Sequence, residues 1–235
     1  MLTKDQITSY QNDGFIVPDF KMPENELLEI ENIHNNLIKN YPEYENYCPT
    51  LLLKDEKFLK YCLNNKILSF VEQLIGKNFA LWNSSFFAKP AHNGFETPWH
   101  QDGQYWPINP LATCTVWLAI DDATEENGCL RFIKGSHKEK KLKEHIRNDK
   151  KNLTLHQQLQ KTELDESKLV NLTLKRGQIS LHDVYMIHGS KENKSPNSRK
   201  AMTMRFMPLT SKFDHNFVFD SNPPFKINKI YPIDI

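Results

Sequence analysis

The chain has 235 residues, 39% of them hydrophobic and 25% charged, with a formal net charge of +1. That balance fits an ordinary soluble globular protein with enough chain to bury a sizeable core. It argues against nucleic acid or an anionic membrane surface as partner, and no apolar run approaches bilayer-spanning length.

The first six residues lack the basic-then-apolar pattern of an export signal, and the final Pro232-Ile233-Asp234-Ile235 is not a peroxisomal address. Cys48, Cys62, Cys114 and Cys129 are widely spaced, with no Cys-x-x-Cys pair. Free thiols in a reducing cytosol are expected, rather than zinc ligands or a disulfide frame. A cytoplasmic location follows as an expectation.

Thr3 and Gln6 have capping-box spacing and predict a short helix ending near Asp13-Gly14. Phe15-Ile16-Val17 reads as a strand stopped by Pro18. Pro23 opens a second helix with Leu27, Ile30, Ile33 and Leu37 along one face. A third helix is predicted from Ile67 to Ile75, ended by Gly76. From about Phe79 the texture changes to short strands, predicted at Phe79–Ala88, Thr113–Ile120, Cys129–Ile133, Leu169–Leu174, Gln178–Leu181, Tyr185–His188 and Ala201–Pro208. That density of short strands argues for a β-sandwich or barrel. The lysine-rich stretch 138–168 reads as a polar, partly helical excursion over the site mouth. The expected organisation is a single domain over 1–235, with a mainly helical part, 1–78, packed on a barrel core, 79–210.

The motif that carries chemistry is His100-Gln101-Asp102, with His188 and Arg199 downstream. In an extended chain His100 and Asp102 point to the same side, so one ion fits between imidazole and carboxylate. His188 comes from another strand. Two imidazoles and a carboxylate can hold one face of Fe(II) and leave positions open for a co-substrate and O2. Arg199 offers a planar fork that matches a carboxylate. His-x-Asp alone is weak evidence, but Pro98, Trp99 and Gly103 around it suggest a strand edge facing a cavity. A rival zinc helix through His92, Glu96 and His100 is opposed by Pro90, Gly94 and Pro98. His182 reads as a core or supporting histidine on the strand face shared with His188, and His137 as ordering a turn. His34, His145, His156 and His215 read as surface or packing residues.

The motifs resemble those of the phytanoyl-CoA dioxygenase family of Fe(II)/2-oxoglutarate oxygenases. Three blocks between about Lys89 and Pro208 carry the resemblance, with a weaker match at Asp13-Gly14-Phe15. They are Pro98-Trp99-His100-Gln101-Asp102 with the strand of Trp117; Asn127-Gly128-Cys129-Leu130 with Gly135-Ser136-His137; and His188-Gly189-Ser190 with Asn193, Ser195 and Arg199. The resemblance implies a mainly β fold, a double-stranded β-helix (jelly roll, cupin-like) with N-terminal and flanking α-helices. It implies that His100, Asp102 and His188 bind iron and that Arg199 binds the distal carboxylate of 2-oxoglutarate. Gln101, Trp117, Ser190 and Lys89 fall at or near co-substrate positions in relatives. Relatives that halogenate replace the carboxylate with a small residue, so Asp102 favours hydroxylation. Two features depart from the pattern: Lys134 stands where a proline is usual, and no extended basic segment is present to grip a coenzyme A phosphate.

The expected function is therefore an Fe(II)-, 2-oxoglutarate- and O2-dependent dioxygenase that hydroxylates a small molecule and releases succinate and CO2. The alternatives are a non-catalytic jelly-roll binding protein and a metal-dependent hydrolase, which would leave Arg199 unexplained. Trp82, Phe86, Phe87, Trp99, Tyr105 and Trp106 are candidate pocket walls, with Tyr105 and Trp106 favoured because they follow the ligand pair. Lys89, Gln104, Arg131, His182 and Arg205 are polar residues near the expected cavity, whereas Lys134 reads as surface. An anionic or zwitterionic metabolite is the expected substrate class.

Overall fold

The structure, a computed structural model, describes residues 1–214 and 230–233, so His215 lies outside the described residues. The N-terminal part contains α1 (Lys4–Asp13), β1 (Phe15–Ile16), α2 (Glu24–Asn40), β2 (Tyr47–Cys48), α3 (Leu51–Lys54), α4 (Leu59–Cys62) and α5 (Asn65–Ile75). Strands follow: β3 (Phe79–Lys89), β4 (Thr97–Gln101), β5 (Ile108–Asn109), β6 (Cys114–Ala119), β7 (Leu130–Ile133), β8 (His145–Arg147), β9 (Gln157–Leu159) and β10 (Leu169–Leu172). The last are β11 (Ile179–Asp183), β12 (Ile187–Ser190), β13 (Arg199–Pro208), β14 (Lys212–Phe213) and β15 (Tyr231–Ile233).

The helix signals work as chemistry. The Gln6 amide donates to Thr3 Oγ1 at 3.2 Å, and the Thr3 amide donates to Gln6 Oε1 at 2.9 Å, so two of the free N–H groups at the start of α1 are satisfied. Gly14 ends α1 at φ 87°, a conformation most side chains avoid. Asn64 caps α5 by accepting from the Lys66 and Ile67 amides. The apolar face of α5 buries Ile67, Leu68, Phe70 and Val71. Each such burial stabilises by roughly 1.5–3 kcal/mol before chain entropy opposes it.

Two antiparallel sheets face each other. The seven-stranded sheet runs β1-β11-β6-β13-β3-β15, with β2 also on β3, and the four-stranded sheet runs β10-β7-β12-β4. This is a double-stranded β-helix, in which alternate side chains of each strand point inward. Strand β13 shows the consequence. Met202, Met204 and Phe206 pack outward in one core with Leu27 and Ile30 of α2 and Ile67 and Phe70 of α5. Arg199, Thr203 and Arg205 point the other way, into the space between the sheets.

Three features differ from expectation. The excursion 138–168, expected to be partly helical, is built on a β8–β9 hairpin, and its helical content is limited to single 3-10 turns at Ser136–Glu139, Lys161–Glu163 and Glu166–Lys168. Its Leu153 and Leu159 are buried, and these two side chains dock an otherwise polar hairpin. Residues 41–64, where no individual element was predicted, hold β2 and the one-turn helices α3 and α4. His182 and His188 do not share a strand, because a turn closed by the Met186 amide on the Asp183 carbonyl sends them to opposite sheets. All four cysteines are free and buried. Among the described residues, no helix is long and apolar enough to cross a membrane.

Candidate metal centre

His100 on β4 and His188 on β12 are direct cross-strand partners. Their rings lie 4.1 Å apart between centroids. Gly189 allows the strands this close, since a Cβ there would sit 3.0 Å from the Thr97 carbonyl and 3.2 Å from the Pro98 carbonyl. Each ring is held by a carbonyl two residues earlier: His100 Nδ1 lies 2.8 Å from Pro98 O, and His188 Nδ1 lies 2.9 Å from Met186 O. A carbonyl only accepts, so Nδ1 carries a proton on both rings, and Nε2 is the nitrogen turned toward the cluster. This is the ring orientation a metal ligand needs.

Asp102 completes the cluster. It does not continue the strand, as the extended-chain reading assumed, but opens a 3-10 turn, Asp102–Tyr105. The turn still aims its Oδ1 at the imidazoles, 3.5 Å from His100 Nε2 and 3.9 Å from His188 Nε2. The other oxygen accepts from Thr115 Oγ1 at 3.3 Å and lies 3.7 Å from His182 Nε2. One potential ligand atom from each of His100, Asp102 and His188 falls within 4.8 Å of the other two. Burial opposes ionisation of Asp102, but His100, His182 and the charge of Arg205 outweigh it and hold the carboxyl well below its usual range. Burial, reinforced by His100, pushes the His188 imidazolium well below its usual range. An anionic carboxylate at Asp102 beside a neutral imidazole at His188 suits the binding of a divalent cation.

The cluster opens into a cavity between the two sheets. Arg199 lies in its wall and is 2% exposed. Its Nε donates to Gly128 O at 3.2 Å and its Nη1 to Phe87 O at 3.1 Å, and the guanidinium sits 5.5 Å from the Trp117 ring centre. Burial lowers its pKa to about 10, so the charge persists at neutral pH. Trp117 and Ser190 also line the cavity, as do Phe87 and Arg205. Lys89 pairs in register with Arg199 and is buried, but its amine donates to Phe95 O and stands behind the wall rather than in it.

Other candidate residues fall elsewhere, for reasons of strand alternation. Trp99 neighbours His100 on β4 and points to the opposite face, where Arg131 covers its ring at 4.6 Å. Neither Trp99 nor Arg131 lines the cavity. Phe86 points outward and stacks on His34 at 3.8 Å. Gln104 bonds Gln157, and Lys134 forms a surface ion pair with Asp13. Tyr105 lies against the His100 ring at 5.8 Å and donates to Gln157 O. Trp106 lies beneath Arg205 at 5.1 Å and meets Trp82 edge-on. His137 does tie a turn, through the Gln11 carbonyl. His182, read as supporting, lines the cavity itself, and so do Thr97, Thr115 and Thr203. The missed signal was the isolated threonines within otherwise apolar strands, Thr115 on β6 and Thr203 on β13.

Gln101 also points away from the cavity and acts as a clasp. Its amide nitrogen donates to Lys141 O and Tyr185 O, its oxygen accepts from the Lys143 amide, and its own backbone amide donates to His145 Nε2. It therefore ties the excursion to the strand that carries His100. Gln101→Ala is expected to leave buried partners unsatisfied at a cost of about 1–3 kcal/mol. Hydrogen exchange across residues 141–145 should then rise about 10- to 100-fold while β13 stays protected. Wild-type protection in that segment would show that the clasp does not hold the excursion.

The chain matches the phytanoyl-CoA dioxygenase family over residues 11–201. It is 34% identical over 175 residues to a phytanoyl-CoA dioxygenase domain-containing protein 1 homolog of Dictyostelium discoideum, covering 73% of this chain and 62% of that protein. It is 26% identical over 235 residues to human peroxisomal phytanoyl-CoA dioxygenase, covering 88% of this chain and 68% of that protein. The chain thus spans about two thirds of the length of these relatives. The non-heme alpha ketoglutarate dependent carbocyclase SnoK from nogalamycin biosynthesis has the same fold, with a TM-score of 0.77 over 99% of this chain and 97% of that one at 16% identity. The family match runs from the end of α1 to the start of β13 and includes every residue of the His100–Asp102–His188 cluster, so this chain belongs to the phytanoyl-CoA dioxygenase family of non-haem iron and 2-oxoglutarate oxygenases.

Proposed function

We propose that this chain is an Fe(II)- and 2-oxoglutarate-dependent dioxygenase that hydroxylates a small molecule, with release of succinate and CO2. The observation that carries this reading is the convergence of two imidazole nitrogens and one carboxylate oxygen in a cavity that also holds the Arg199 guanidinium. A binding protein has no need of all four, and a hydrolase has no use for the arginine. His100, Asp102 and His188 hold the metal, and Thr115 orients Asp102 through its second oxygen. Arg199 binds the distal carboxylate of 2-oxoglutarate as a fork, flanked by Trp117 and Ser190. SnoK is described as alpha ketoglutarate dependent, in keeping with this assignment. When bound, ferrous iron supplies O2 activation coupled to oxidation of 2-oxoglutarate, the chemistry that reaches an unactivated C–H bond. The protein's own work is to bind, orient and exclude water, and the β8–β9 hairpin clasped by Gln101 contributes to that exclusion.

The reading extends to the whole chain, with 1–78, the barrel 79–210 and the excursion 138–168 acting as one oxygenase unit. Buried free thiols suit a reducing compartment such as the cytoplasm. The substrate is an anionic or zwitterionic small molecule, because the wall carries a second guanidinium, Arg205.

The test is to load the protein with Fe(II) anaerobically, add 2-oxoglutarate and O2, and measure succinate. Slow turnover is expected even without the substrate. No succinate from protein shown to hold iron would overturn the reading in favour of a binding protein.

A further inference from the structure

Strand β13 carries two inward guanidiniums six residues apart, with Cα atoms roughly 20 Å apart at about 3.3 Å per residue. Each head is pinned at its own end. Arg199 is fixed by Gly128 O, Phe87 O and Trp117. Arg205 is 4% exposed; its Nη1 donates to Ser85 Oγ at 2.5 Å and its plane lies 5.1 Å from the centre of Trp106. Arg205 Nε is buried and has no hydrogen-bond partner among the described residues. Arg205 makes no ion pair with any described carboxylate within 4 Å, yet its charge acts on both Asp102 and the Tyr47 phenol. A buried, half-satisfied guanidinium of this kind is costly unless an anion meets it.

The charges of the cavity show what is missing. Fe(II), 2-oxoglutarate as a dianion, Asp102 and Arg199 together sum to zero. Lys89 stands behind the wall with its amine on the Phe95 carbonyl, so it does not enter this balance. Arg205 is left as one uncompensated positive charge. Its surroundings are aromatic: Trp106 lies beneath it, Phe87 lines the same cavity, and Tyr47 stacks on Phe87 at 4.4 Å.

We propose that Arg205 anchors a single carboxylate of the substrate through its Nε edge, and that the substrate is a small monocarboxylic acid whose apolar body lies against Trp106, Phe87 and Tyr47. This rests on the oxygenase reading for its meaning as a substrate site, though not for the anion contact itself. Arg205 is a specificity residue here. It sets which molecule is held beside Asp102 and takes no part in bond breaking.

The test uses butanoate, octanoate, phenylacetate and 3-phenylpropanoate, each beside its primary amide. Binding is read by quenching of tryptophan fluorescence, to which Trp106 contributes from directly under Arg205. The protein is held anaerobically with Fe(II) and saturating 2-oxoglutarate, so that Arg199 is already occupied, and the titrations are repeated without iron. At least one acid is expected to bind about 10- to 100-fold tighter than its amide, the size of a charge-assisted contact. Arg205→Gln should bring that acid down to the level of its amide. Arg205→Lys keeps the charge without the fork and should lose about tenfold, which keeps the test decisive if the glutamine variant does not fold. A purely structural Arg205 would weaken acids and amides alike. The proposal is overturned if no acid outbinds its amide, if the preference survives Arg205→Gln, or if Arg205→Lys binds acids as the wild type does. Acid preference in a protein that forms no succinate would sink the oxygenase reading and keep the Arg205 contact. Succinate formation with indifference to acid or amide would do the reverse.

Discussion

Asp102→Ala is expected to reduce succinate formation at least about 100-fold and to weaken Fe(II) binding by a similar factor. The magnitude follows from the ligand count. Structural metal sites with four protein ligands bind with about 10–16 kcal/mol, or roughly 3 kcal/mol per ligand, which is about two orders of magnitude in affinity. Asp102 also supplies the one anionic charge of the set, facing His100 and His188 through Oδ1. Removing it leaves Thr115 Oγ1 without its acceptor. Asp102→Asn preserves the shape and the Thr115 contact but not the charge, so it separates the electrostatic contribution from the packing one. Anaerobic titration reads the metal, and a coupled assay reads succinate. Turnover of 2-oxoglutarate by the alanine variant at the wild-type rate would remove Asp102 from the ligand set.

Much of this site was legible because the chemistry sits in short local patterns. His100 and Asp102 are two residues apart, so any extended or near-extended backbone aims both at one point. Helix α1 announced itself through Thr3, Gln6 and Gly14, and α5 through its apolar face and Gly76. Legibility failed where tertiary partners decide. The β8–β9 hairpin is polar and lysine-rich, so its strands show no apolar alternation, and its buried apolar anchors are Leu153 and Leu159. Even spacing between His182 and His188 suggested one strand face, but the turn at Asp183–Met186 separates them onto facing sheets, which brings both beside Asp102. The family resemblance put Gln101 at a co-substrate position, between His100 and Asp102. The same position forces its side chain to the opposite face, where it clasps the excursion. Thr115 is a partner of Asp102 only through the pairing of β6 with β11 and β13, and no local pattern records that.

Arg199→Gln is expected to raise the KM for 2-oxoglutarate by about 30-fold or more. Truncating one partner of a buried, hydrogen-bonded charge pair costs about 2–5 kcal/mol, and Arg199 is 2% exposed on the cavity wall. The guanidinium is already oriented before any ligand arrives. Gly128 O and Phe87 O fix its Nε and Nη1, and Trp117 lies against its plane. Little side-chain entropy is therefore lost on binding, which makes the fork more effective than a free arginine. Arg199→Lys keeps a charge but cannot make two parallel bonds, so its KM should fall between those of the wild type and the glutamine variant. Neither variant touches the metal ligands, and Fe(II) titration should stay within about threefold of wild type, below the 10-fold loss typical of ligand-shell damage. That contrast would separate the two halves of the proposed site, Asp102 on the metal and Arg199 on the keto acid. A KM for 2-oxoglutarate in Arg199→Gln that matches the wild type would mean the distal carboxylate is held elsewhere, and the pairing of a metal triad with a carboxylate fork would lose its basis.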